Sequence, residues 1–497
     1  MRLSCRFQMT NRRHFGYMMM RCHIPGSCRN GGDYGSSRGY RMEQLNDFFK
    51  AASGFVWGVP LLVLLVGTGL LLTVRLRCIQ VTMLGHALRE TFVRPEKNEA
   101  GDVSHFKALM IALAATIGTG NIIGVATAIS VGGPGALFWM WVTAAVGMAT
   151  KYAEGVLAVK YRVVDDNGEM AGGPMYYLEH GLGQKWLGFL FALFGAFASF
   201  GIGNMVQANA IAGNLHDSLG IAPLATGIVL TVCTAAVILG GVKKIGNVSA
   251  VMVPVMAVVY VAGCLVILGR FAGELPAAFV LVFSDAFTGS AATGGFVGAT
   301  VMLAIQKGVS RGVFSNESGL GSAPIAAAAA KTNEPCEQAL VSMTGTFIDT
   351  IIVCTMTGLV LIVTGAWHAG TPVATLTRSA FDTGLPGSAG GIIVSFGIIF
   401  FAYSTIIGWA YYGEKCMEYL LGVRALVPYR LVYSLAVAVG ATVKLDLVWN
   451  FADVMNGLMA IPNLIGLLGL SGVIVAETNR FLKEKRGAEV KPQLSEE

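Results

Sequence analysis

Long apolar blocks dominate this chain and restrict its fold more than any other feature of the sequence. They run roughly 18 to 30 residues, the length that carries a helix across the ~30 Å hydrocarbon core of a bilayer. Of the 497 residues, 54% are hydrophobic and 13% charged. A soluble protein of this size carries about a quarter charged residues. In hydrocarbon every backbone N–H and C=O must be satisfied internally, which leaves helices and closed barrels. The strand alternation of a barrel is absent from the sequence. The expected fold class is an all-α polytopic membrane protein.

The apolar runs predict about eleven transmembrane helices, near 54–74, 106–130, 135–161, 187–215, 222–240, 248–269, 277–307, 337–366, 391–421, 428–444 and 447–478. Runs 277–307 and 447–478 are long enough to be broken. Lys and Arg crowd alternate connectors: Arg75, Arg77, Arg89, Arg94, Lys97 and Lys107; Lys243 and Lys244; Lys307, Arg311 and Lys331; Lys415, Arg424 and Arg430; then the tail NRFLKEKRGAEVK. The intervening connectors hold Arg270, Arg378 and Lys444. The positive-inside rule puts the first set in the cytoplasm. From Met42 the chain then starts outside and ends inside. Residues 1–41 are basic, rich in Gly, Ser and Cys, and lack the apolar stretch of a signal peptide. They read as a non-native or disordered leader.

The nine cysteines form no CxxC pair and no Cys/His cluster, so neither a disulfide framework nor a zinc site is expected. Cys233, Cys264 and Cys354 lie in apolar runs, where cysteine acts as a small hydrophobe. No nucleic-acid motif is present. The seven histidines make no HExxH, as a zinc-dependent enzyme of that class would need. A channel would need a charged or carbonyl filter repeat, and none is visible.

The stretch ATIGTGNIIGVATAI, Ala115 to Ile129, breaks its apolar run with Gly118, Thr119, Gly120 and Asn121. Glycine permits unwinding. Unwound backbone inside a membrane is tolerated only where it lines a cavity or binds something. The half-helix beginning near Asn121 offers a positive dipole end to a carboxylate. The half-helix ending near Ile117 offers free carbonyls to a cation. Close packing of small residues is the simpler alternative. A second interruption, Gly289 to Gly295 in FTGSAATGGFVGA, opens the second half. With 54–74 set aside, each half has five spans and opens on a broken helix. An odd number gives the halves opposite topology, the 5+5 inverted-repeat plan of secondary transporters. The organisation expected is a leader (1–41), an N-terminal accessory helix (42–76), a cytoplasmic connector (77–105), two repeats (106–270 and 271–478) and a cytoplasmic tail (479–497).

The stretches IGTGNIIGVATAI, GGPGALFWMW, KYAEGVLAVKYR, GGPMYYLE, RGVFSNESGLGSAPIAAAAAKT and NGLMAIPNLIGLL resemble the alanine or glycine:cation symporter family over Met42 to Lys483. Two positions depart from the family pattern. Ser318 stands where alanine is usual, and Ala326 to Ala330 is unbroken where a histidine is common. The resemblance implies the leucine-transporter fold and sodium-coupled symport of one small neutral amino acid, alanine and/or glycine. It also implies a multi-pass protein of a bacterial-type inner membrane, with no cofactor and no obligate protein partner.

On that reading the backbone N–H groups of Thr119 and Gly120 take the substrate carboxylate, and Gly118 permits the geometry. Gln207 is a substrate contact, although Asn204, Gln207 and Asn209 could instead bond between helices. Ser404 and Thr405 ligate sodium with the carbonyls of Ala114, Ile117 and Phe401. Trp409, one turn beyond Thr405, limits the pocket, and Phe296 lines it. Asp349 either tunes cation binding or makes a polar helix contact. Arg311 and Glu317 form either a gate-closing ion pair or a solvated loop pair. The alternative to sodium coupling is proton coupling, and Asp349 is the residue that allows it.

Overall fold

Apolar helices set the architecture. The computed structural model describes residues 36–93, 99–288, 297–368, 371–443 and 446–490, and nearly all of these are helical. The β structure among them comprises a two-stranded hairpin, Val163–Val164 against Met170–Ala171, and an isolated Val103–Ala330 bridge. Seven helices are long and apolar enough to cross a membrane, and one bent pair counts as an eighth. Pro223–Ile238 is a shorter apolar helix. Gly135–Lys160 is helical throughout but buries Lys151 and Glu154 within its length. The Gly289–Gly295 interruption and Phe296 lie outside the described residues.

Outward faces of the long helices are coated with aliphatic side chains. Along Gly241–Arg270, Val251, Val255, Val258, Leu265 and Val266 are all more than half exposed. Such a surface suits lipid, where an exposed apolar face costs nothing. Breaks fall where the backbone signals are. Helices Ser36–Val56 and Val59–Arg75 meet at Trp57 and Gly58, with Pro60 inside the next first turn. The 447–478 run is broken, with one helix ending at Gly469 and another starting at Ser471.

The bent pair is the run predicted to be interrupted. His105–Thr116 and Gly120–Gly132 meet at 53°. Ser104 caps the first piece, its Oγ accepting the Lys107 N–H at 3.3 Å. Ala389–Leu421, a 33-residue helix, crosses against the break. The approach depends on Gly408, because a Cβ placed there would lie 2.6 Å from the Ala115 backbone nitrogen.

Polar anchors fix the C-terminal end of that long helix. Lys415 is buried and contacts Asp165 of the hairpin at 3.1 Å and Glu418 at 2.8 Å. Arg430 grips Glu414 through two bonds of 2.7 and 2.6 Å. Removing one partner of a buried ion pair leaves an uncompensated charge, a loss on the order of 3–5 kcal/mol. Lys415→Met should therefore lower the thermal unfolding temperature of the detergent-purified protein strongly. An unchanged transition would show that the hairpin is not held through Lys415.

Candidate functional site

At the break the helix is interrupted at Ile117 and Gly118, and neighbouring side chains replace the missing backbone bonds. Ile117 adopts extended backbone (φ −75°, ψ 91°). The Gly118 N–H donates to Asn121 Oδ1 at 2.9 Å. Asn121 Nδ2 in turn donates to Asp349 Oδ1 at 2.7 Å. Ser315 and Thr350 hydroxyls donate to Asp349 Oδ2 at 2.8 and 2.7 Å. Asp349 thus receives side-chain donors from three elements. Cys354 is not merely a small hydrophobe here. Its Sγ lies 3.2 Å from Ser315 Oγ and 3.3 Å from Asn121 Nδ2.

Neutral oxygens gather on the other side of the break. Ser404 Oγ donates to Phe401 O at 2.8 Å and lies 3.3 Å from Ile117 O. Thr405 Oγ1 also donates to Phe401 O, at 3.0 Å. A Cβ on Gly118 would fall 2.4 Å from Thr405 Oγ1 and 3.7 Å from Gln207 Oε1. Gly118 therefore leaves no room for a side chain between these two polar groups. Gln207 donates through Nε2 to Ile202 O at 3.0 Å, and its Oε1 is buried without a partner among the described residues. Ala114, fully buried, lies one turn before Ile117. Ile117, Phe401, Ser404, Thr405, Gly118 and Gln207 thus converge.

Thr119 and Gly120 follow directly on Gly118. They line a cavity of about 230 Å³ together with Asn209, Arg311, Phe314 and Trp449. Both lie at the first turn of the second half-helix, where N–H groups lack intrahelical acceptors. Thr119 Oγ1 is buried and without a hydrogen bond among the described residues. Asn204 and Asn209 bond between helices, Asn204 Nδ2 to Tyr433 O at 2.7 Å and Asn209 Nδ2 to Gly440 O at 3.2 Å.

Arg311 and Glu317 do not pair. Arg311 lies over the Phe314 ring at 5.6 Å. Glu317 is buried, bonded to Trp409 Nε1 at 2.9 Å and Ser322 Oγ at 2.6 Å. Its φ of +55° is unusual for a side-chain-bearing residue and turns the chain at the end of the Val297–Asn316 helix. Trp409 is therefore tethered at its indole nitrogen, and its Cβ presses on Gly203, where an added Cβ would lie 2.2 Å away.

Residues 42–495 match the family model described as the sodium:alanine symporter family. This chain belongs to the sodium:alanine symporter family. A relative from Methanococcus maripaludis, named sodium/alanine symporter AgcS, is 59% identical over 442 residues, covering 87% of this chain and 96% of that one. Two Bacillus subtilis relatives are further off. Amino-acid carrier protein AlsT is 37% identical over 443 residues, covering 89% and 93%. "Probable sodium/glutamine symporter GlnT" is 36% identical over 449 residues, covering 90% and 92%. The family's members are transporters, not enzymes, and this chain is a multi-pass membrane protein of that kind.

The family's SNESGLGSAP block has a structural job that spacing could not show. It is buried, and Gly319 and Gly321 adopt φ of +88° and +86° to fold it over the Gly135–Lys160 helix. Glu154 Oε1 receives the Gly319 N–H at 3.1 Å and Asn463 Nδ2 at 2.7 Å. Asn463 is itself bonded by the Tyr177 hydroxyl. Lys151 Nζ is buried and makes no hydrogen bond among the described residues. Ser318, the departure from the usual alanine, bonds Thr346 Oγ1 at 3.0 Å. The unbroken alanine run supplies backbone carbonyls. Ala328 O and Ala330 O receive Arg162 Nη1 at 2.8 and 2.7 Å. The charged residues of KYAEG and the asparagine of IPNLIG were visible as polar groups in apolar runs, a signal of purpose, but their partners were not.

Asn121 is the link between the unwound backbone and Asp349. Asn121→Ala would leave a buried N–H and a buried carboxylate short of partners, costing on the order of 1–3 kcal/mol each. Both thermal stability and amino-acid binding should fall. Wild-type binding in a well-folded Asn121→Ala protein would show that the staple does not shape the site.

Proposed function

We propose that this protein carries a small neutral amino acid, alanine and/or glycine, into the cell together with sodium, by alternating access. The observation that carries the reading is that one helix break brings two kinds of group together. On one side stand neutral oxygens: the Ile117 and Phe401 carbonyls and the Ser404 and Thr405 hydroxyls. On the other stand the Gly118 backbone and Gln207 Oε1, which has no partner among the described residues.

A hard cation prefers oxygen donors. Sodium would take the hydroxyl oxygens of Ser404 and Thr405 with the carbonyls of Ala114, Ile117 and Phe401. No titratable group belongs to that set. The amino acid's carboxylate would meet the N–H groups of Thr119 and Gly120, in the field of the half-helix that follows them. Gln207 would meet its polar end, and Phe296 and Trp409 would bound its side chain. Trp409 is suited to that role because Glu317 and Gly203 hold its ring in place. The M. maripaludis relative named a sodium/alanine symporter supports this substrate. The remainder of the proposal is a 5+5 inverted repeat led by the two interruptions, in an inner membrane, with the N-terminus outside and the C-terminus in the cytoplasm.

Uptake of radiolabelled alanine and glycine into proteoliposomes, with and without an inward sodium gradient, tests the reading. Sodium should drive accumulation of at least one of the two. Accumulation in sodium-free buffer driven by pH alone would overturn it in favour of proton coupling. Thr405→Ala removes one ligand and should raise the sodium concentration for half-maximal uptake roughly five- to a hundredfold, from ~1–3 kcal/mol for a lost polar partner. An unchanged sodium dependence in that variant would remove Thr405 from the ion site.

A further inference from the structure

Arg311 stands on the wall of the cavity of about 230 Å³ that Thr119 and Gly120 also line. It comes from the helix Val297–Asn316, which packs on the break. A Cβ added at Gly120 would lie 3.4 Å from Phe314 Cδ1 and 3.5 Å from Ser315 Cα. The Phe314 ring thus packs against Gly120, and the Arg311 guanidinium lies 5.6 Å from the centre of the same ring. Phe314 therefore sets a fixed cation beside the first turn of the half-helix Gly120–Gly132.

Two donors on this cavity lack partners. Arg311 Nε is buried and makes no hydrogen bond among the described residues, and the same holds for Thr119 Oγ1. A ring face attracts the charge of a guanidinium but leaves its planar fork of N–H donors to be met elsewhere. Asp453, one turn beyond Trp449 in the helix Asp446–Gly469, accepts the Ser53 hydroxyl.

The signs of charge point to what completes the site. A helix N-terminus carries a partial positive charge, and a cation beside it is unfavourable. An anion seated between the two turns both into attractions. Ile123, Val206, Ala210 and Trp449 make much of the remaining wall apolar. In such surroundings a charge-assisted hydrogen bond is stronger than in water.

We propose that Arg311 is a specificity-determining residue that grips the carboxylate of the transported amino acid, which rests on that carboxylate lying at the Thr119 and Gly120 N–H groups. The backbone donors orient the carboxylate, and the guanidinium fork supplies the opposite charge that an uncharged analogue cannot use. Arginine suits the task because its rigid fork matches the two oxygens of a carboxylate, which a lysine ammonium does not.

Equilibrium binding of alanine and of alaninamide, which keeps the amine and lacks the carboxylate charge, to the purified full-length protein in saturating sodium tests this. Wild type should prefer alanine. Arg311→Gln should weaken alanine roughly ten- to a hundredfold, the worth of a hydrogen bond to a charged group, and should not weaken alaninamide. The unfolding temperature of the ligand-free variant should not fall, since the cation removed has no partner there. Arg311→Lys should recover part of the alanine affinity. Should Arg311→Gln fail to fold, Arg311→Lys decides, with alanine weakened several-fold and alaninamide unchanged. Wild-type alanine affinity in the variant that is measured would overturn the assignment alone. So would an equal loss of alanine and alaninamide, which would make Arg311 a packing residue. Failure of wild type to bind alanine or glycine in sodium would instead overturn the proposed transport function, and this role with it.

Discussion

A polypeptide cannot leave backbone groups unpaired in hydrocarbon, and this chain does break a helix there. Everything around Gly118 answers that one constraint. Asn121 takes the Gly118 N–H and passes the interaction to Asp349, which Ser315 and Thr350 also hold. On the opposite side Ser404 reaches toward Ile117 O. The break is therefore held by fixed polar partners on one side. On the other its partners are small hydroxyls, which can give up a carbonyl to a cation with little rearrangement. A site that binds ion and solute needs this combination of a rigid frame and exchangeable contacts.

The second tier of polar groups does structural work at a distance from the break. Glu154, Glu317 and Lys151 place ionisable groups in a buried region, where a polar group without partners is expensive. Glu154 is met by Gly319 N and Asn463, and Glu317 by Trp409 and Ser322. Through these bonds the SNESGLGSAP block, the Gly135–Lys160 helix and the Ala389–Leu421 helix position one another. Trp409 belongs to this frame as well as to the proposed pocket wall. Its orientation is thus tied to the same buried acid that turns the chain after the Val297–Asn316 helix.

Much of this was legible in the sequence and some of it was not. Apolar length exposed the helices, and the Gly-Thr-Gly-Asn interruption exposed the break, because both are local properties. Partners were not legible, because periodicity gives a helix without saying which way each side chain faces. Asn121 and Asp349 lie 228 positions apart, and Glu317 and Trp409 lie 92 apart. Glu317 was read beside Arg311 because they are neighbours in sequence. One turn with positive φ sends it to Trp409 instead. Likewise Cys354 reads as a small hydrophobe in an apolar run, yet a π-type stretch, Phe347–Cys354, brings it to Ser315 together with Asp349. Thr119 and Gly120 line a cavity with Asn209, Arg311 and Trp449, residues from distant parts of the chain that spacing does not bring together.

If ion and amino acid share this break, each must change the affinity of the other. Linkage requires the two factors to be equal. Equilibrium binding of labelled alanine to the purified protein across sodium concentrations, with sodium binding measured across alanine concentrations, tests the account most directly. The account predicts that saturating sodium tightens alanine binding, and that saturating alanine tightens sodium binding by the same factor. Alanine binding that stays equally tight when sodium is replaced by potassium would contradict it.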